Sequence, residues 1–138
     1  MIFGIVSGYF NPLHVGHVRY INEAKKRCDW LLAIVNNDFQ QILKKGKIII
    51  PEDERLEIVD SLWSVDNVML SIDQDSTVCE TLRKIANTII NRPMVFFNGG
   101  DRVEGNTPER EVCQELGIEM VFNLVPQYDS STRILSRM

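Results

Sequence analysis

Short apolar runs alternate along this chain with longer segments in which apolar residues recur every three or four positions. The short runs are typical of buried β-strands, and the longer period is typical of amphipathic helices. We expect strands at residues 2–6, 30–35, 68–72, 94–97 and 118–124. Because these runs are apolar on both faces, they predict an α/β fold: a Rossmann-like, doubly wound sheet of about five parallel strands with helices on both faces.

Helices are expected between these strands. They span residues 14–28, 51–63, 77–90 and 107–117, and a short one begins near residue 130. Pro51 suits the first position of its helix, which is expected to bury an apolar face of Leu56, Val59, Leu62 and Trp63. Between the second strand and Pro51, the sequence shows only a polar strand end, a lysine-rich segment and three isoleucines.

The size and composition of the chain exclude several classes of protein. At 138 residues it is expected to form one domain, residues 1–138, and its 44% hydrophobic and 25% charged residues are ordinary for a soluble globular protein. No apolar run approaches the ~20 residues of a membrane span. Met1 leads into an apolar run without a basic region, so we expect no signal peptide and a cytoplasmic location. The net charge of −4 argues against a nucleic-acid partner.

The three cysteines are Cys28, Cys79 and Cys113. Their number is odd and their spacing is wide, so neither a disulfide framework nor a paired metal site is expected. We interpret them as core thiols in a reducing compartment.

The stretch from Ser7 to His17 carries the first candidate chemistry. It lies between a strand and a helix, where backbone N–H groups and the helix dipole attract anions. His14 and His17 are three residues apart and project toward one side, while Gly16 lets a phosphate approach closely. The alternative is that one histidine caps the helix and the other packs. The pattern favours a phosphate-binding site.

Polar or glycine-bearing segments follow four of the expected strands. They are residues 8–17, 36–38, 98–102 and 126–132. Because ligands bind at the carboxyl ends of parallel strands, we expect one shared site. In the third segment, paired glycines permit close approach of a ligand, and Asp101 can accept hydrogen bonds from a ribose or a base. A glycine turn with an aspartate cap is the alternative.

The sequence from Gly8 to His17, G-Y-F-N-P-L-H-V-G-H, resembles the G-x-F-D-x-x-H-x-G-H signature of the cytidylyltransferase-like nucleotidyltransferases. The resemblance implies transfer of a nucleotidyl group from an NTP to a phosphorylated small molecule, with Mg²⁺ accompanying the nucleotide and pyrophosphate released. CTP is the favoured donor, and ATP is the next candidate. Asn11 stands where relatives usually have aspartate, so a charge that could steer a metal or a lysine is missing.

The same resemblance implies a role for each candidate residue. The catalytic residues are His14, His17, Lys44 and Lys47; the nucleotide-binding residues are Gly8, Tyr9, Phe10, Asn11, Gly16, Gly99, Asp101, Ser131 and Thr132; and the acceptor phosphate is bound by Arg55 and Arg102. No protein ligand to a metal is implied. Plainer alternatives are a solvated lysine cluster, an exposed ion pair at Arg55 worth about 0–1 kcal/mol, and a simple helix N-cap at Ser131 and Thr132.

Two departures from the family pattern leave the substrate open. The glycerol-phosphate cytidylyltransferases begin their last motif with R-T-E-G, whereas residues 125–128 here read V-P-Q-Y. Residues 98–109 instead resemble the G-G-D…P-E stretch of the heptose-phosphate adenylyltransferases. Asn11 and the missing arginine also favour a second class of function, a nucleotide-binding relative that does not catalyse transfer. The resemblance further implies a homodimer, in which Phe39 or Trp63 belongs either to the interface or to the core.

Overall fold

The computed structural model describes residues 1–99, 107–122 and 124. Five strands in this part of the chain form one sheet, in which every neighbouring pair is parallel and the order is β3-β2-β1-β4-β5. The strands are β1 (Phe3–Gly8), β2 (Trp30–Val35), β3 (Asn67–Leu70), β4 (Met94–Phe97) and β5 (Glu119–Val121). The predicted five-stranded parallel α/β sheet is confirmed.

The helices lie on both faces of the sheet. They are α1 (Val15–Lys25), α2 (Asp38–Lys45), α3 (Glu52–Asp60), α4 (Cys79–Thr88) and α5 (Arg110–Leu116). Ile21 of α1 and Val59 of α3 belong to one apolar cluster, and Leu82 of α4 and Cys113 of α5 belong to a second. Each cluster fills one face of the sheet, as the continuous apolar strands predicted.

β2 shows why a central strand is apolar throughout. Leu31, Ala33 and Val35 pack into the first cluster, and Leu32 and Ile34 pack into the second. Successive side chains of a strand point to opposite faces, so a strand covered on both sides has no polar face. All five side chains are buried.

The order of the strands reverses beside β1. The chain passes from β1 to β2 on one side and later reaches β4 on the other side of β1. Such a reversal leaves a crevice between the carboxyl ends of the two strands, which is where open parallel sheets bind ligands. Gly8 ends β1, and Asn98 and Gly99 follow β4. Two of the predicted site segments therefore flank this crevice.

The helix that follows Pro51 is shorter than predicted. α3 ends at Asp60 with Ser61 as its C-cap, and the chain then turns. Val59 is buried, but Trp63 is 99% exposed. The predicted burial of Trp63 was wrong because the helix stops before its apolar stripe reaches this residue.

α2 was not predicted, and it buries its polar face instead of its apolar face. Gln40 and Gln41 are fully buried, whereas Phe39, Ile42 and Leu43 are exposed. The helix therefore turns amides inward and its apolar face outward, so the core alternative for Phe39 was also wrong. This reversed face places two glutamines beside the carboxyl end of β2.

Other differences from the expected elements concern their ends. The strands expected at residues 68–72 and 118–124 are shorter, Asn67–Leu70 and Glu119–Val121, and the helix expected from residue 107 begins at Arg110. The short helix expected near residue 130 lies outside the described residues. Within the described ranges, no helix combines the length and the apolar character needed to cross a bilayer.

The cysteines are all free thiols. Cys113 is buried, and burial raises the pKa of its thiol to about 12. Cys28 and Cys79 are half-buried, and burial raises the pKa of each. A thiol with a raised pKa is a poor nucleophile at neutral pH, so these side chains serve packing.

Candidate active site

The start of α1 is built around two histidines. His14 is the N-cap residue, and the backbone N–H of Gly16 donates to its Nδ1 at 3.1 Å. His17 occupies the third position of the helix, and the backbone N–H of His14 donates to its Nδ1 at 3.1 Å. This is a capping box in which two imidazoles replace the usual hydroxyl and carboxylate.

These contacts determine which ring nitrogen carries the proton. A neutral imidazole has one N–H, and a nitrogen that accepts a hydrogen bond is not the protonated one. Because Nδ1 of both His14 and His17 accepts from the backbone, the proton of each ring is on Nε2. Both side chains are therefore set as Nε2–H donors at a helix N-terminus, where an anion is already favoured.

Burial and the neighbouring His14 ring both favour the neutral form of His17. Their centroids lie 3.8 Å apart with an interplanar angle of 29°, so the rings stack. The pKa of His17 is lowered from 6.5 to about 4, first because burial disfavours the charged form and second because His14 would repel it. At neutral pH His17 is an uncharged donor.

The lowered pKa of His17 predicts a loss of stability in acid. Between the ordinary pKa of an unfolded histidine and about 4, the unfolded chain binds a proton that the folded chain does not. The stabilisation is fully present above about pH 6.5 and falls as the pH decreases. We expect the free energy of unfolding to drop about 1–2 kcal/mol more in the wild type than in His17→Gln between about pH 7 and about pH 4.5. Urea unfolding at both pH values measures this difference, and equal drops in the two proteins would contradict it.

The ring of Phe10 packs against the ring of His17. Its side chain is buried, and its ring meets the imidazole edge-on with centroids 5.1 Å apart. A Cβ at Gly8 would lie 2.9 Å from the tip of this ring, so only glycine fits there. Gly8 and Phe10 were both predicted to bind the nucleotide. The structure gives Phe10 a buried contact with His17, and the nucleotide contacts of both residues stay predictions.

Arg55 of α3 organises the floor of the site. Its side chain is fully buried, and its Nε donates to the carbonyl oxygen of Ile50 at 2.8 Å. One terminal nitrogen donates to the carbonyl oxygens of Tyr9 at 3.0 Å and Asn36 at 2.6 Å. The other donates to the carboxylate of Asp38 at 2.9 Å. A single guanidinium thus joins the residues that follow β1 and β2 to Ile50, which lies just before α3, and to Asp38 of α2.

This burial corrects what the sequence predicted for Arg55. Both predicted alternatives, a contact with the acceptor phosphate and an exposed ion pair, need a guanidinium that solvent can reach. The side chain of Arg55 is 0% exposed, and its N–H groups point to carbonyl and carboxylate oxygens of the protein. Arg55 therefore holds the backbone of the segments around the site through its buried hydrogen bonds.

Gln41 of α2 forms a second set of contacts. Its Oε1 accepts from Asn11 Nδ2 at 2.7 Å and from the N–H of Ile49 at 2.5 Å. Its Nε2 donates to Asp38 Oδ1 and to the carbonyl oxygen of Ile50, both at 3.1 Å. Asn11 in turn accepts from the N–H of Ile50 at 3.2 Å. Asn11 is thus bonded through both ends of its amide.

Gln40 ties the loop after β3 to the same edge of the sheet. Its Oε1 accepts from Asn36 Nδ2 at 3.0 Å and from the N–H of Asn37 at 3.1 Å. Its Nε2 donates to the carbonyl oxygens of Asp75 and Thr77, both at 2.7 Å. The predicted site segment at residues 36–38 is therefore part of a hydrogen-bonded polar layer.

Lys44 is the one predicted lysine with a described contact in the site. Its ammonium lies 4.4 Å from the centre of the Tyr9 ring, a cation–π distance. Lys47 is exposed on the segment that follows α2. Gly99 lies after β4, where a Cβ would come within 3.0 Å of the Tyr20 ring.

The described part of the chain thus brings six of the predicted site residues close together. His14, Gly16, His17, Tyr9, Asn11 and Lys44 lie on neighbouring segments at the end of β1 and on α2. Asp101, Arg102, Ser131 and Thr132 lie outside the described residues. Within residues 1–99, 107–122 and 124, no group of three or more His, Cys, Asp or Glu side chains is placed to hold a metal ion.

Sequence reasoning missed Gln40 and Gln41. A glutamine beside lysines reads as a solvent-facing residue, and the apolar positions of α2 pointed to the wrong buried face. One feature of the sequence could have indicated this helix, the helical spacing of Phe39, Ile42 and Leu43. That spacing does not show which side of the helix is buried.

A parallel sheet with paired imidazole donors at the start of the helix after β1 is an arrangement suited to binding phosphate groups. A family model described as cytidylyltransferase-like matches residues 5–134. The chain belongs to this family and is a nucleotidyltransferase.

Individual relatives agree with this assignment. The chain is 35% identical to an FAD synthase of Ferroglobus placidus, over 97% of this chain and 86% of that protein. It is 31% identical to the bifunctional protein HldE of Caulobacter vibrioides, over 98% of this chain and 27% of that protein. A solved structure, the lipopolysaccharide core biosynthesis protein of Thermoplasma volcanium, superposes with a TM-score of 0.71 at 26% identity, over 94% and 99% of the two chains.

Proposed function

We propose that this protein transfers the adenylyl group of ATP to a phosphate-ester acceptor and releases pyrophosphate, with FMN the first acceptor to test. The observation that carries the proposal is the pair of Nε2–H donors on His14 and His17. Two uncharged donors at a helix N-terminus suit a chain of phosphates, because they stabilise developing negative charge without a proton transfer.

The choice of ATP rests on relatives. FAD consists of FMN joined to an adenylyl group, so an FAD synthase such as that of Ferroglobus placidus links a phosphate monoester to the adenylyl group of ATP. The resemblance of residues 98–109 to the heptose-phosphate adenylyltransferases points to the same nucleotide. CTP is the second candidate, and the cytidylyltransferase-like description of the family model favours it.

The proposed reaction needs no covalent enzyme intermediate. A phosphate oxygen of the acceptor attacks the α-phosphorus of the NTP, a new P–O bond forms, and the bond to pyrophosphate breaks. Both reactants are anions, so catalysis consists mainly of positioning them and offsetting their charge. His14 and His17 donate to oxygens of the α- and β-phosphates and stabilise the charge that develops on the bridging oxygen, and Lys44 and Lys47 screen the approach of the acceptor.

Mg²⁺ is proposed to arrive with the triphosphate. This ion prefers oxygen ligands, and Asn11 has both ends of its amide in hydrogen bonds to Gln41 and Ile50. We therefore do not assign Asn11 as its ligand. When bound to phosphate oxygens, the ion offsets charge on the leaving pyrophosphate.

Two further expectations accompany the proposal. A homodimer is implied by the resemblance to the family, and the exposed side chains of Trp63 and Phe39 are available for such an interface. A cytoplasmic location agrees with the three free thiols.

Pyrophosphate release in the presence of Mg²⁺ tests the function. ATP and CTP are each combined with FMN, glycerol 3-phosphate, heptose 1-phosphate, phosphocholine or ribitol 5-phosphate, and the product is identified by mass. Release that requires both ATP and one phosphate ester supports the proposal, and an FAD product names the acceptor. Release with CTP alone would overturn the choice of donor. Absence of release with every pair, despite tight binding of an NTP, would favour a nucleotide-binding relative.

A further inference from the structure

Gln41 is a buried side chain whose contacts reach two parts of the site at once. It is 0% exposed, although glutamine is usually a surface residue. On one side it bonds Asn11, which belongs to the histidine loop, defined here as residues 8–17. On the other side it bonds the backbone of Ile49 and Ile50, in the segment that carries Lys47.

The orientation of this amide is determined by its partners. Oε1 faces two donors, the Asn11 amide and the Ile49 N–H, and Nε2 faces two acceptors, Asp38 Oδ1 and the Ile50 carbonyl. A flipped amide would oppose like groups at these contacts. The hydrogen bonds therefore leave one arrangement for the side chain.

Asn11 must supply a donor and an acceptor together. Its Nδ2 donates to Gln41 at 2.7 Å, and its Oδ1 accepts from the Ile50 N–H at 3.2 Å. An ionised carboxylate at this position has no donor, so it would place an oxygen against Gln41 Oε1. The partners of Asn11 carry no positive charge, because they are the Gln41 amide and the Ile50 N–H. The guanidinium of Arg55 already pairs with Asp38. A negative charge at position 11 would therefore have no described partner to offset it.

We propose that Gln41 is a positioning residue for nucleotidyl transfer, and that Asn11 and Gln41 are a matched amide pair. The pair fixes the position of residues 46–50, which include Lys47, relative to the histidine loop. The inference rests on the proposed function for its kinetic measurement only. It also explains why an asparagine stands where the family signature has an aspartate.

The kinetic test compares Gln41→Met, Asn11→Ala, their double variant and Asn11→Asp. Methionine fills the volume of glutamine without its hydrogen bonds, so the variant removes the contacts and keeps the packing at position 41. We expect kcat/KM to fall about tenfold in each single variant and no further in the double variant, because both remove the same connection. Asn11→Asp is also expected to fall about tenfold, although it restores the residue of the family signature. Gln114→Ala, on the exposed side of α5, is the control and should leave kcat/KM unchanged.

Hydrogen exchange of two amides tests the connection without any substrate. Gln41 accepts from Ile49, and Asn11 accepts from Ile50. Loss of a local bond alone would speed exchange only at the amide that lost its acceptor. A shared unit predicts cross-effects: Gln41→Met speeds exchange at Ile50, and Asn11→Ala speeds it at Ile49, each by about tenfold relative to the Ala33 amide of β2.

The two measurements separate the inference from the proposed function. If the wild type releases no pyrophosphate with any pair of substrates, the proposed function fails, and exchange alone decides the role of the pair. Cross-effects at both amides support the inference. Exchange confined to the amide that lost its acceptor would overturn it, and so would wild-type activity in Asn11→Asp.

Discussion

Replacement of His17 by alanine should lower kcat by about two orders of magnitude or more, the usual cost of losing one preorganised donor to a developing charge. The ring is held for this task by three contacts. The His14 N–H fixes its Nδ1, the His14 ring stacks on it, and Phe10 meets it edge-on. Steady-state pyrophosphate release with saturating substrates measures the effect. KM for the nucleotide should change much less than kcat, because the donor acts mainly in the transition state.

His17→Gln separates catalysis from capping. Glutamine is a normal third residue of a capping box, so it can keep the bond to the His14 N–H, and its amide still offers an N–H donor. We expect its activity to lie between those of the wild type and His17→Ala. Val15→Ala, at an exposed position in the same turn, serves as the control. A folded His17→Ala protein with near wild-type turnover would remove His17 from the mechanism.

Replacement of Arg55 by alanine should lower the free energy of unfolding by about 3–5 kcal/mol, because it removes a fully buried guanidinium and leaves its buried hydrogen-bond partners without a donor. The change strands the carboxylate of Asp38 and takes donors from the carbonyl oxygens of Tyr9, Asn36 and Ile50. Urea unfolding measures the loss. Lysine is not expected to rescue the site, because it lacks the planar fork that reaches these oxygens together.

The same variant tests the role first predicted for Arg55. If its guanidinium bound the acceptor phosphate, Arg55→Ala would raise KM for the acceptor and leave stability nearly unchanged. Arg27→Ala, an exposed arginine just after α1, is the matched control and should change the unfolding free energy by no more than about 0.5 kcal/mol. A loss of less than about 1 kcal/mol in Arg55→Ala would contradict the structural role.

The strands were predictable because their burial leaves a simple signal. β4 was expected at residues 94–97 and is found there, since Pro93 precedes an apolar run and the polar Asn98 and Gly99 follow it. α2 was not predictable in the same way. Its buried residues are Gln40 and Gln41, so the usual link between apolar spacing and the inward face is reversed.

The sequence predicted where the candidate site residues lie in the fold, at the end of β1, but not their contacts with one another. The spacing of His14 and His17 indicated a phosphate site, yet spacing cannot tell which nitrogen of each ring accepts a hydrogen bond. Arg55 sits among Glu52, Asp53 and Glu54 in the sequence, which suggests a solvated turn. Only the three-dimensional path of the chain brings carbonyl oxygens from three segments around its guanidinium.

The histidine capping box couples the formation of the candidate site to the folding of α1. The same two N–H groups that need partners for α1 to begin are the groups that orient both imidazoles. The first helical turn therefore folds in the same step that orients the two imidazole rings. A chain whose first turn is frayed has no aligned imidazoles, so the proposed pair of phosphate donors exists only once this turn has formed.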